Sequence, residues 1–151
     1  MELNAFKDKM IAAAKQNFDL FGEARPMAIL LTRTGEPLMM PLSIIPTKDM
    51  IVKIIKDACK CYPVVALILV SEAFAIRRAN EEYNPYEKPG EADDKKEVLT
   101  ITFETKLASR TYIWNIMRDK AKPYLVEVTP EKVLNVDGRF VNLLTDPINQ
   151  N

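Results

Sequence analysis

The stretch VVALILVSEAFAI, residues 64–76, is an apolar run that is interrupted by one serine and one carboxylate. Its first seven residues include several branched side chains and do not alternate with polar ones, which is typical of a strand covered on both faces. We therefore predict that residues 64–76 form the central strand of the sheet.

Two amphipathic helices are predicted on the N-terminal side of this strand. Apolar residues recur near a 3.6-residue period over residues 3–21, with charged residues between them, and Gly22 follows. The same period recurs over residues 48–61, which begin after the potential cap Thr47 and end before Pro63. Both segments should place one apolar face on the sheet.

The other strands follow from alternation and turn residues. MAILLTR and PLMMPLS flank Thr34-Gly35-Glu36, which predicts a hairpin, and the two prolines of the second run favour an edge strand. EVLTITFET and RTYIWNIMR alternate and should pair antiparallel through the connection 106–109. YLVEV is a further strand, and Asp137-Gly138 predicts a turn before RFVNLL.

These elements predict one α+β domain over residues 1–151, with a mixed, mostly antiparallel sheet and both helices packed on one face. The segment 80–96, NEEYNPYEKPGEADDKK, is predicted to be an exposed loop, and loops of this length are disproportionately functional. Two helices on one face would leave apolar strand residues uncovered, so we expect a homo-oligomer, most simply a dimer.

Composition excludes several classes of function. Lys plus Arg and Asp plus Glu both total 21, so no bulk positive charge attracts a polyanion. Histidine is absent, which removes Ser-His-Asp and Cys-His nucleophile systems and His-containing zinc sites. The first 18 residues do not resemble a signal peptide and no run is long enough to span a membrane, so we expect a cytoplasmic protein. Cys59 and Cys61 are then expected to be free thiols.

Glu72 is the unusual residue of the central strand. In a regular strand it shares a face with Val70 and Phe74, where an ionised carboxylate needs a compensating partner. One interpretation is a β-bulge, or a face that becomes exposed to water. The other is a partly buried carboxylate held by an arginine at a binding site. The binding-site interpretation names the following residues: Ser71, Glu72, Phe74, Arg77 and Arg118.

SEAF at the end of an apolar strand, a charged proline-containing loop, EVLTITFE and a late GRF resemble a family of small uncharacterised bacterial and phage proteins. Family members often have Ser-Glu-Ala-Trp where this chain has residues 71–74. The resemblance spans roughly residues 27–144 and implies a compact α+β domain with a recurring strand end. Because the family has no assigned activity, the resemblance implies no catalytic residues.

A Mg²⁺-dependent hydrolase of the nuclease type is one alternative function. Glu104 and Lys106 form a Glu-x-Lys motif ten residues after Asp94, and in this chemistry two carboxylates hold the metal while a lysine activates water. Glu72 could replace Asp94 as the second carboxylate. Short motifs of common residues occur often by chance, so a solvated strand end is the competing interpretation.

Binding of single-stranded nucleic acid is a second alternative. The candidate cations are Arg77, Arg78, Arg110, Arg118, Lys120 and Lys122, and the candidate stacking residues are Tyr112, Trp114 and Tyr124. Aromatic residues that alternate along a strand usually pack across strands instead.

The remaining nucleophiles lack an activating group. Ser71 needs a base, and the adjacent Glu72 points to the other face of a strand. Cys59 could be activated by Lys60, although a cysteine on the apolar side of a helix is usually a small core residue. The sequence therefore favours a non-enzymatic binding or accessory module, without a metal or cofactor, that acts through a protein partner or as a homo-oligomer.

Overall fold

The computed structural model describes residues 2–78, 80–82, 84–128 and 133–136, and for Arg77, Asn80 and 133–136 it describes the backbone alone. The segment Asp137–Asn151, with the predicted turn and RFVNLL, lies outside these residues. The elements in chain order are α1 (Leu3–Phe21), β1 (Met27–Thr32), β2 (Pro37–Pro41), α2 (Lys48–Cys61), β3 (Val64–Arg78), β4 (Lys96–Glu104), β5 (Ser109–Met117), β6 (Tyr124–Glu127) and β7 (Val133–Val136), with short 3-10 helices at Asn80–Glu82 and Pro89–Glu91.

The strands form one sheet in the order β2-β1-β3-β4-β5-β6, and every pairing among the described strands is antiparallel. β3 lies inside the sheet, as its apolar run predicts, and continues to Arg78. It pairs with β1 up to Val70 and with β7 from Ala75 onward. β2 is an edge strand, which agrees with its two prolines. The predicted α+β class is confirmed.

Local sequence explains how the helices and the first hairpin begin and end. The Thr47 side chain accepts a hydrogen bond from the Met50 N–H at 3.2 Å and caps α2. Gly22 closes α1 with φ of 72°, and Gly35 turns the β1–β2 hairpin with φ of 89°. Glycine is favoured at both positions because a Cβ atom makes positive φ costly.

One face of the sheet is covered by α1. Phe6 and Phe18 of α1 pack against Ile68, Leu99 and Trp114, which come from three neighbouring strands. Leu3, Met10, Ile11 and Ala14 extend the same contact along the helix. We call this side of the sheet the α1 face.

The opposite face of β1 and β3 is covered by α2. Ile55 packs with Leu30 and Leu67, which alternate with strand residues of the α1 face. The prediction that both helices lie on one face is therefore wrong. A strand that is apolar on both faces needs cover on both, and one helix on each side provides it.

The predicted loop 80–96 is compact over much of its length. It contains the two 3-10 helices, and Pro89 is buried. Arg78, at the end of β3, binds the carboxylates of Glu87 and Asp94 from within this segment. We call residues 84–95 the strap. In the described part of the chain, no helix is both long and apolar enough to cross a membrane.

Candidate functional site

The α1 face of β3 has a gap in its cover at Phe74. Val70 is 7% exposed and Ile76 is 2% exposed, whereas Phe74, which lies between them on the same face, is 39% exposed. Gly22 ends α1 before this point, and on the far side the 3-10 helix Pro89–Glu91 of the strap contacts β3. The gap thus leaves the Phe74 ring partly exposed between the buried residues Val70 and Ile76.

Glu72 lies at the α1 side of this gap and is half-buried. Its Oε1 accepts a hydrogen bond from the Ala24 N–H at 3.1 Å, so the carboxylate holds the α1–β1 connection against β3. The register between β3 and β4 is continuous from Leu67 to Ala75, which rules out the bulge interpretation on that side. The partner that the structure shows for Glu72 is a backbone amide and not an arginine.

Arg118 approaches the gap from the far side of β4. Its Nε donates to Glu97 Oε2 at 2.6 Å and its Nη2 to Oε1 at 3.3 Å, and Glu97 is the β4 residue opposite Phe74. Hydrogen bonding to Glu97 raises the pKa of Arg118, and the charge of Glu72 adds a smaller contribution in the same direction. The charge of Glu72 therefore acts on Arg118, but the hydrogen bonds of Arg118 are to Glu97.

Lys95, the last residue of the strap, completes the surroundings. Its Nζ lies 5.0 Å from the centroid of the Phe74 ring, within cation–π range. Glu72, Phe74, Lys95, Glu97 and Arg118 form what we call the Phe74 surface. Two carboxylates and two cations surround the ring, so the surface carries both signs of charge and no net charge.

Two of the predicted site residues do not join this surface. Ser71 projects from the opposite face of β3, where its Oγ donates to the Glu72 carbonyl at 3.0 Å. Its own carbonyl accepts a hydrogen bond from the Thr100 hydroxyl at 3.2 Å. These bonds give Ser71 a role within the sheet. The side chain of Arg77 lies outside the described residues.

Sequence reasoning missed Lys95 and Glu97. Glu97 could be placed only from the β3–β4 register, and no short turn joins these two strands to fix that register from the sequence. Lys95 reaches Phe74 because the strap folds back over the end of β3, and its charged sequence resembles that of any solvated loop.

The residues of the alternative hydrolase site are not brought together. Glu104 ends β4, whereas Asp94 precedes its start and binds Arg78 at 2.6 Å. A strand rises about 3.3 Å per residue, so the two carboxylates lie at opposite ends of β4. Glu72 is opposite Leu99, on the other face from Glu104. Among the described residues, no group of three histidine, cysteine or acidic side chains could hold a metal ion.

Glu104 has a different environment from the one that its motif suggested. It is 0% exposed and lies near Cys59 of α2, which packs in the α2 core. Burial raises the pKa of the Cys59 thiol, the charge of Glu104 raises it further, and Lys106 opposes the shift. A raised pKa reduces the thiolate fraction, which supports a structural cysteine.

The predicted stacking residues for nucleic acid are already in contact with cations of this chain. Lys15 lies 5.4 Å from the centroid of Trp114, which is 8% exposed. Lys7 and Arg110 lie 5.6 Å and 5.0 Å from the centroid of Tyr112, and Lys120 lies 4.5 Å from that of Tyr124. Bases could stack on these rings only by displacing the cations, so the arrangement does not favour the nucleic-acid alternative.

A polar cleft of about 520 Å³ lies between the strap and the end of β3. Its lining includes Arg78, Tyr86, Glu87 and Glu91. The guanidinium of Arg78 donates to both carboxylates, at 2.8–3.1 Å to Glu87 and at 2.6 and 3.0 Å to Asp94. These internal hydrogen bonds make Arg78 an anchor for the strap.

Comparisons with family models, with curated proteins and with solved structures found no match. The resemblance of residues 71–74 to the bacterial and phage family therefore stays a prediction.

Proposed function

We propose that this protein is a non-enzymatic binding module that acts as a homo-oligomer through its Phe74 surface. The observation that carries the proposal is the exposed ring of Phe74 in a face of β3 that is buried on either side. An apolar centre with a charged rim is the usual composition of a protein interface. The exposed Leu20 and Phe21, at the end of α1, add apolar area on the same side of the sheet.

The charges of the Phe74 surface support a second copy of this chain as the partner. A two-fold interface places one patch against the same patch of the other subunit, so a patch of a single charge sign would repel itself. Here Glu97 and Arg118 pair with each other, and Glu72 and Lys95 balance the rest. The sequence predicted a dimer because two helices on one face would leave the other face uncovered. Since α1 and α2 cover opposite faces, we propose association through the Phe74 surface alone.

The lack of histidine, and the environments of the candidate nucleophiles Ser71 and Cys59 in the described part of the chain, support a binding role. The sequence contains no histidine. Ser71 Oγ donates to a neighbouring carbonyl, and the pKa of Cys59 is raised, so neither resembles an activated nucleophile.

Sedimentation equilibrium over a range of protein concentrations tests the proposal. We expect the native chain to associate, and Phe74→Ser to weaken association by about 2 kcal/mol, or about 30-fold in Kd, as for a central interface residue. Leu107→Ser is the matched control, because Leu107 is a 79% exposed residue in the β4–β5 turn, at the other end of β4. A native chain that stays monomeric, or a Phe74→Ser chain that associates equally well, would contradict the proposal.

A further inference from the structure

The side chain of Arg78, at the end of β3, makes hydrogen bonds to two carboxylates of the strap. The Arg78 guanidinium donates two hydrogen bonds to Glu87, in the first third of the strap, and two to Asp94, next to its last residue. The Asp94 side chain is 63% exposed, whereas that of Glu87 is largely covered. Asp94 is therefore the more solvent-exposed of the two attachment points of the strap.

Lys95 follows Asp94 directly and takes its position from the strap. Its Nζ donates to the Gly90 carbonyl at 2.9 Å and at the same time lies over the Phe74 ring. Gly90 belongs to the 3-10 helix Pro89–Glu91, whose Pro89 is buried against the rest of the chain. The ammonium group above Phe74 is thus held in place by a hydrogen bond to another residue of the strap.

We infer that the strap is a built-in regulator of the Phe74 surface: with Arg78 bound to Glu87 and Asp94, Lys95 covers the ring, and release of these bonds uncovers it. This inference rests on the proposed role of Phe74 in association. A substitution shifts the equilibrium between the covered and uncovered forms only if it changes the free energy of one form relative to the other. Removing the carboxylate charges acts on the covered form alone, because only that form has the bonds to Arg78.

The rate of thiol labelling at position 74 measures how far the strap covers this position, independently of association. In a Cys59→Ser, Cys61→Ser background, Phe74→Cys is labelled with a maleimide at a concentration where the chain is monomeric. We expect Glu87→Gln with Asp94→Asn to increase the labelling rate several-fold. Leu107→Cys in the same background controls for general loosening, and its rate should not change. Equal rates at position 74 with and without the strap changes would overturn the inference.

Lys95→Ala gives a second route that leaves the Arg78 bonds intact. With Phe74 native, we expect this variant to associate more tightly than the native chain in sedimentation equilibrium, because a covering cation has been removed. If labelling at position 74 responds to the strap while Lys95→Ala and Phe74→Ser both leave association unchanged, the cover is real and the proposed function is wrong. If association depends on Phe74 but not on Lys95 or the strap, the proposed function holds and the strap inference is wrong.

Discussion

Replacing Glu72 by alanine should destabilise the fold through one hydrogen bond. The Glu72 carboxylate accepts from the Ala24 N–H at 3.1 Å in a half-buried position. Hydrogen bonds to charged groups contribute about 1.5–3 kcal/mol, and partial exposure places this one at the lower end, at about 1.5 kcal/mol. Glu72→Gln keeps an acceptor oxygen of similar reach, so we expect it to lose less than about half of that free energy.

Urea unfolding at a fixed protein concentration measures this difference. With a slope of about 2 kcal/mol per M, Glu72→Ala should lower the midpoint by about 0.7 M at unchanged slope. Glu97→Ala is the matched control, since it removes the same residue type from the neighbouring strand on the same face. Its pair with Arg118 is close to half exposed on both sides, so the expected loss is about 0.5 kcal/mol. The reasoning is refuted if Glu72→Ala is as stable as the native chain, or if Glu72→Gln is less stable than Glu72→Ala.

Three further predictions follow from burial and charge. Leu99→Ala, in the core of the α1 face, should lower the free energy of unfolding by about 3 kcal/mol, whereas Leu107→Ala at the exposed turn should change it by less than about 0.5 kcal/mol; similar losses in urea unfolding would contradict the core assignment. Cys61 is exposed, whereas burial raises the pKa of the Cys59 thiol, so Cys61 should react first with iodoacetamide. Peptide mapping of partly alkylated protein should find the label mainly at Cys61. Hydrogen bonding to Arg78 holds the pKa of Asp94 below its usual value, so this bond stabilises the fold fully above the unfolded-state pKa of about 3.9 and loses its effect as the pH falls through the lower folded-state pKa. In Asp94→Asn, the urea midpoint should therefore fall less between neutral and acidic pH than it does in the native chain. If the two proteins have the same pH profile, the bond does not contribute to stability.

The secondary structure was largely predictable because periodicity and end signals are local. Thr47 begins α2 and Gly22 ends α1 as the sequence indicates, and the turn at Gly35 and the connection between β4 and β5 form the predicted hairpins. The alternation of β4 separates Leu99 and Ile101 from Thr100 and Thr102 as the sequence indicates, but the threonine face is buried too and not exposed as alternation predicts. Each of these features depends on neighbours within a few residues along the chain.

The placement of the helices and the environment of Glu72 depended on tertiary contacts. An apolar stripe on a helix predicts that it packs on a sheet but not on which face, and the two-sided apolar character of β1 and β3 accommodated one helix on each. The partner of Glu72 is the N–H of Ala24, 48 residues away along the chain, and a backbone amide has no sequence signature.

The sequence by itself predicted most of the helices and strands, the α+β class, the interior strand 64–76 and the face on which Glu72 and Phe74 lie, since strand alternation places side chains by position alone. The strand Val133–Val136 and the extension of β3 to Arg78 were not predicted. Only the tertiary structure decided that Asp94 binds Arg78 and lies far from Glu104, and that Lys95 covers Phe74. The physical reason is that strand register and loop packing bring together residues that are distant along the chain, and these contacts depend on the free energy of the whole fold.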